Sequence, residues 1–131
     1  MAVGLKEMVA RARGSARELE PTAVKDALDR GEIELVVDVR EPGEWQREHV
    51  AGAVNVPRGM LELKADPESP VADPELARRE AAVVLYCTKA PSARSLLAAE
   101  TLSEMGFTNV TVIDAGLNAW KEAGLPVESA T

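Results

Sequence analysis

Four short runs of mostly β-branched and aliphatic residues, at positions 33–39, 53–57, 81–86 and 109–113, are separated by segments of helical composition. A strand with one wet face alternates polar and apolar residues. These runs are instead nearly continuously apolar, so they must be covered on both faces. Strands of that kind joined by helices build a parallel sheet with helices on either side, which predicts an α/β domain with four to five parallel strands. The chain has 131 residues, enough for one such domain to bury a core without disulfide or metal staples.

The connecting segments carry their own punctuation. Residues 5–19 are rich in Ala, Arg and Glu and read as a helix, which sets residues 1–19 apart as an N-terminal helical extension of a domain over 20–131. Pro21 opens the next helix at a first-turn position, and Gly31 ends it. Arg40-Glu41-Pro42-Gly43 breaks the first strand, and residues 44–49 read as a short helix. Residues 58–79 hold Pro67, Pro70 and Pro74 and read as a surface loop with a turn of helix at either end. A helix over 92–105 stops at Gly106, and a last one over 117–123 is closed by Gly124 and Pro126.

Charge and cysteine usage exclude several classes of function. Fifteen Lys and Arg against 22 Asp and Glu give a net charge of −7, which repels polyanions and argues against nucleic acid as a partner. No apolar run approaches the ~20 residues of a membrane span, and Met1-Ala2-Val3-Gly4-Leu5-Lys6 lacks the apolar centre of a signal peptide, so a cytoplasmic protein without a membrane partner is expected. One cysteine, Cys87, and one histidine, His49, allow neither an internal disulfide nor a zinc cluster. Glu62, Asp66, Glu68 and Asp73 are spread through the Pro-rich loop as a solvated face, so no metal is expected.

In parallel α/β sheets, ligands bind just beyond the carboxyl ends of the strands. Residues 38–42, 57–59, 87–94 and 114–116 leave the four strands there. The stretch Tyr86-Cys87-Thr88-Lys89-Ala90-Pro91-Ser92-Ala93-Arg94-Ser95 is the most informative, since it sets a thiol at the end of a strand, before a helix. A helix start offers unpaired N–H groups and the positive end of its dipole, which stabilise a thiolate and hold an anion. Lys89 and Arg94 add cationic donors, and no Asp or Glu occurs between Ala81 and Ala99, giving a +2 patch in an acidic chain. The competing reading is that Cys87 is a small buried hydrophobe.

Across residues 20–127 the chain resembles the rhodanese family of single-domain sulfurtransferases. The resemblance rests on Asp38-Val39-Arg40-Glu41-Pro42-Gly43-Glu44-Trp45, on His49-Val50-Ala51-Gly52-Ala53-Val54-Asn55-Val56-Pro57, and on Cys87 with Arg94-Ser95-Leu96-Leu97-Ala98-Ala99. Met105-Gly106-Phe107-Thr108-Asn109-Val110, Ala115-Gly116-Leu117-Asn118-Ala119-Trp120 and Ala123-Gly124-Leu125-Pro126-Val127 complete it. It implies a three-layer α/β rhodanese-like fold and a thiosulfate sulfurtransferase type of enzyme, working without a cofactor. Cys87 would take a sulfane sulfur as a persulfide, and Thr88, Lys89, Ala90, Pro91, Ser92, Ala93 and Arg94 would form the substrate cradle. The implied partners are a small sulfur-containing anion or persulfide as donor and a thiol or protein as acceptor.

One departure bears on chemistry. The family loop places four residues, one of them glycine, between Cys and Arg, and phosphatase and arsenate-reductase relatives place five. Here six lie between Cys87 and Arg94, none of them glycine, and Pro91 lacks an N–H to offer. Closing a loop two residues longer costs only ~0.3 kcal/mol, whereas ordering two more backbone units costs ~2–4 kcal/mol. The expectation is therefore a helix lengthened back to Pro91, or a loop that orders on an anion, and weak thiosulfate activity. A phosphatase or arsenate reductase of the same fold, and a non-catalytic binding module, are the alternatives.

The other polar candidates have plainer readings. Arg58 leaves the second strand on the active edge and is a candidate for the pocket rim. Asp38 and Arg40 read as an ion pair fixing the loop after the first strand, and His49 as shaping the turn before the second. Trp45 and Trp120 read as core anchors.

Overall fold

The computed structural model describes residues 2–130. Five parallel strands form one sheet in the order β1-β6-β5-β2-β4, made of β1 (Arg17–Leu19), β2 (Leu35–Asp38), β4 (Val54–Asn55), β5 (Val83–Tyr86) and β6 (Val110–Ile113). A separate antiparallel ribbon pairs β3 (His49–Val50) with β7 (Val127–Glu128). The three central strands β2, β5 and β6 are buried at every position, as their continuous apolar character requires.

Alternation along these strands divides the core into two layers. Leu35, Val37, Val83, Leu85, Cys87, Val110 and Val112 pack with residues of the helices α1 (Leu5–Ala12), α4 (Leu61–Ala65) and α5 (Ala93–Glu104). Val36, Val84, Tyr86 and Ile113 point the other way, toward α2 (Pro21–Asp29) and α6 (Gly116–Glu122). Cys87 and Tyr86 are adjacent in the chain and therefore lie on opposite faces.

Three local readings are corrected here. The helix expected over residues 5–19 ends at Ala12, passes through a tight turn at Arg13–Ser15 and becomes the edge strand β1. Gly14 and Ser15 are poor helix formers, and β6 offers Arg17, Glu18 and Leu19 a ladder at Thr111, Val112 and Ile113. Val9 and Ala12 of α1 are buried in the core. The short helix α3 (Pro42–Arg47) begins earlier than expected because Glu41 and Glu44 form a reciprocal capping box around Pro42, and His49 lies in β3, not in that helix. In the Pro-rich excursion, Leu61, Ala65 and Leu76 are fully buried and pin the segment to the core. Among the described residues no helix is long and apolar enough to cross a membrane.

Candidate active site

Cys87 directly follows β5, buried to 3% exposure at the carboxyl edge of the sheet. The segment after it turns sharply, with Ser92 N–H donating to the Lys89 carbonyl at 2.9 Å. The Ala90–Pro91 peptide is cis, and Ser92 has φ 64°. Helix α5 starts only at Ala93, so the anticipated lengthening back to Pro91 does not occur.

The reason is Ser92, which is 1% exposed. Its hydroxyl accepts from Ala115 N–H at 3.2 Å. Its carbonyl accepts from Leu96 N–H at 2.9 Å and from the Ser95 hydroxyl at 3.1 Å. With its own N–H donated to Lys89, four hydrogen bonds converge on one residue, each worth about 0.5–1.5 kcal/mol. Together they match the ~2–4 kcal/mol that ordering two extra residues costs. The longer spacing is thus held as a loop.

Helix α6 holds the same loop from the other side. Leu117 N–H donates to the Cys87 carbonyl and Asn118 N–H to the Thr88 carbonyl, both at 2.9 Å. The carbonyls of the loop's first two residues are thereby turned toward α6. The N–H groups of Lys89, Ala90, Ala93 and Arg94 have no acceptor among the described residues. These four residues, with Cys87, Thr88 and Pro91, line a cavity of about 180 Å³.

Most of the expected cradle is brought together there, with two exceptions. The Ser92 side chain is turned away to the Ala115 amide. Arg58 is engaged elsewhere, donating to Glu62 at 3.1 Å and to the Thr101 hydroxyl on α5 at 2.8 Å, and it does not line the cavity.

The electrostatics also differ from the +2 patch read along residues 81–99. Arg94 makes a two-pronged ion pair with Glu44 of α3, at 2.9 and 3.2 Å, and donates to the Thr88 hydroxyl at 3.1 Å. Hydrogen bonding to that guanidinium, against the opposing effect of burial, holds the Glu44 carboxyl below its ordinary range, and the same bond raises Arg94. Lys89 is exposed and has no carboxylate partner among the described residues. Behind the thiol, Ser95 is fully buried with its hydroxyl 3.3 Å from Cys87 Sγ. A carbonyl can only accept, so the Ser95 proton is committed to Ser92 and the thiol is the donor to Ser95.

Glu44, Ser95 and Gly116 were not singled out from the sequence. All three stand within the motifs that carry the family resemblance, but their contacts cross the fold.

Asp38, Arg40 and His49 lie outside the cavity lining and brace its neighbours. Arg40 forms a bidentate pair with Asp38 at 2.8 and 3.0 Å and donates to the Glu48 carbonyl at 2.6 Å. The Tyr86 hydroxyl donates to Asp38 at 2.6 Å and accepts from Val50 N–H at 3.0 Å. Burial first, then the Asp38 charge, pushes the Tyr86 phenol upward, so it remains a donor. His49 stacks on the half-buried Trp45 with 4.2 Å between ring centroids, and its nitrogens face the Trp45 carbonyl and Glu128. Trp120 is 1% exposed and anchors the α6 layer. Among the described residues no three His, Cys, Asp or Glu side chains come together as a metal site.

A buried cysteine on a turn between a central parallel strand and a helix, over a small cavity with unpartnered N–H groups, defines a cysteine-loop α/β domain. The family model described as Rhodanese-like domain matches residues 20–123, and the chain belongs to that family. A solved structure from Rhodopseudomonas palustris CGA009, a protein of unknown function described as a possible tyrosine phosphatase, is 34% identical with a TM-score of 0.87, covering 98% of this chain and 96% of its own. The polysulfide-sulfur transferase homodimer from Wolinella succinogenes is 28% identical with a TM-score of 0.73, covering 95% and 86%. Thiosulfate sulfurtransferase 16, chloroplastic, of Arabidopsis thaliana is 31% identical over 96 residues, 71% of this chain and 78% of the relative. Against several other curated relatives the match spans between 26% and 59% of their length.

Proposed function

We propose that the chain is a sulfurtransferase that carries sulfur on Cys87. The Cys87 thiolate attacks the sulfane sulfur of a donor, the bond from that sulfur to its carrier breaks, and the carrier leaves as sulfite from thiosulfate or as a thiolate from a persulfide. The product is a Cys87 persulfide anion. A thiophilic acceptor, such as cyanide, a thiol or a protein cysteine, then attacks the outer sulfur and regenerates the thiolate. Neither half-reaction needs an oxidant or a cofactor.

The observation that carries this reading is the cavity that Cys87 shares with Lys89, Ala90, Ala93 and Arg94, whose backbone N–H groups have no acceptor among the described residues. An N–H donor makes a stronger hydrogen bond to an anionic acceptor, such as thiosulfate or a persulfide anion, than to a neutral one. Sulfurtransferases among the relatives support the class. The decisive experiment is intact-mass spectrometry after incubation with thiosulfate or a small persulfide. One added sulfur atom, removable by dithiothreitol and absent from Cys87→Ser, is expected. A folded protein whose mass no donor changes would sink the proposal and favour a binding module.

A phosphatase reading is raised by the description of the Rhodopseudomonas palustris neighbour. Transfer of a phosphoryl group needs a guanidinium for the equatorial oxygens and an acid for the leaving group. Arg94 is engaged by Glu44, and no Asp, Glu or His lines the cavity. The sulfur-transfer reading is therefore favoured, and the absence of aryl phosphate turnover is its corollary.

A further inference from the structure

We propose that Glu44 selects the charge of the donor: by pairing with Arg94 it cancels the guanidinium that lines the Cys87 cavity and turns the site from dianions such as thiosulfate toward sulfur carried on a thiol. This rests on the sulfur-transfer reading above.

The geometry is specific. Glu44 Oε1 and Oε2 lie 2.9 and 3.2 Å from the two terminal nitrogens of Arg94. The Thr88 hydroxyl closes the ring, accepting from Arg94 at 3.1 Å and donating to Glu44 at 3.5 Å. This ring stands between two spaces. On one side is the cavity of Cys87, and on the other a polar recess of about 250 Å³ lined by Arg40, Glu44, Arg47, Glu48, Thr88, Leu117, Asn118 and Lys121. Thr88 lines both. Arg40 and Lys121 in the recess are paired with Asp38 and Glu48, whereas Arg47 there has no carboxylate partner among the described residues. In the Cys87 cavity itself, exposed Lys89 is the one lining cation without a carboxylate on it among the described residues.

Glu44 is also fixed by its own helix. Its side chain accepts from the Glu41 N–H at 3.3 Å as half of the capping box, so it does not swing away without uncapping α3. A dianion entering beside Arg94 meets a fixed carboxylate within the guanidinium's reach, and the resulting penalty grows in proportion to donor charge. A donor of lower charge gives up much less. Carboxamide at this position keeps one oxygen, which can serve the cap and one Arg94 nitrogen, while it removes the charge and replaces the second acceptor oxygen with an NH2 group.

The test compares wild type, Glu44→Gln, Arg94→Gln and the double variant, with melting curves recorded to confirm folding. Donors are thiosulfate and 2-hydroxyethyl persulfide, with sulfur loading of Cys87 as the readout. Glu44→Gln is expected to raise kcat/KM for thiosulfate at least about tenfold and for the persulfide less than about threefold, the difference shrinking with added salt. A second readout needs no sulfur chemistry. The ratio of Cys87 alkylation rates by iodoacetate and by iodoacetamide reports the charge of the cavity, and Glu44→Gln should raise it at least about threefold, with the double variant returning to wild type. Equal changes for both donors, or an alkylation ratio that ignores Glu44, overturn the inference. If no donor loads Cys87 in any variant, the sulfur-transfer reading fails and donor selection with it, whatever the alkylation ratio reports about charge.

Discussion

Gly116 stands so close to Cys87 that a Cβ on it would lie 2.4 Å from the Cys87 carbonyl oxygen. Its φ of 55° is in the left-handed region as well. Both features follow from one demand: the first turn of α6 reaches the Cys87 and Thr88 carbonyls with its N–H groups only if the backbones nearly touch.

Gly116→Ala is therefore expected to push the β6–α6 turn and the cysteine loop apart. The clash is with backbone, which cannot rotate aside as a flexible side chain would. A loss of about 1–3 kcal/mol in urea denaturation is expected, together with slower alkylation of Cys87. An unchanged alkylation rate would show that the α6 contact does not position the thiol.

Ser95 is the polar side chain recorded in contact with Cys87 Sγ, at 3.3 Å. When the thiol ionises, the Ser95 hydroxyl can turn from the Ser92 carbonyl and donate to sulfur, exchanging a neutral hydrogen bond for a charge-assisted one. Ser95→Ala should slow iodoacetamide alkylation near about pH 6.5 several-fold, with Ser95→Thr closer to wild type. Equal rates in all three proteins would assign Ser95 to holding the loop alone.

Tyr86→Phe removes a buried hydroxyl that serves Asp38 and the Val50 N–H. The orphaned amide and the weakened Asp38–Arg40 pair should cost about 1–3 kcal/mol. Asp38→Asn leaves the 5%-exposed Arg40 without its counter-charge and should cost more, about 3–5 kcal/mol. Thermal or chemical unfolding distinguishes the two, and the reverse ranking would mean that the pair is dispensable.

The Glu44–Arg94 pair gives a pH dependence of definite sign. Glu44 is held below its ordinary value of 4.5, chiefly by the hydrogen bond to Arg94. Its contribution to stability is complete above the unfolded-state value and is lost as pH falls through the lower folded one. Wild type should exceed Glu44→Gln in stability at neutral pH, by no more than about 1 kcal/mol since the Arg94 and Glu44 side chains are 42% and 26% exposed. The gap should close below about pH 4.5. A gap that persists undiminished to about pH 3 would contradict the assignment.

The parallel sheet, its cover on both faces and the position of Cys87 at a strand's end were legible from residue order. They depend on local regularities: continuous apolar runs, proline and glycine at element ends, and a thiol immediately past one run. Other features were not local. Arg17, Glu18 and Leu19 have no strand character of their own and become one because β6 presents an open edge. The ribbon of His49 and Val50 exists through residues 127 and 128.

The same division runs through the site. Composition and order alone placed a thiol, two cations and a helix start in one stretch. The fold decided that Ser92 is committed to Ala115, that Arg58 serves α5, and that Glu44, distant in the chain, neutralises Arg94. Each of those choices is a contact between segments far apart in sequence. Its energy exists only after packing has brought the groups together and removed water from between them, so no local pattern of residues records it.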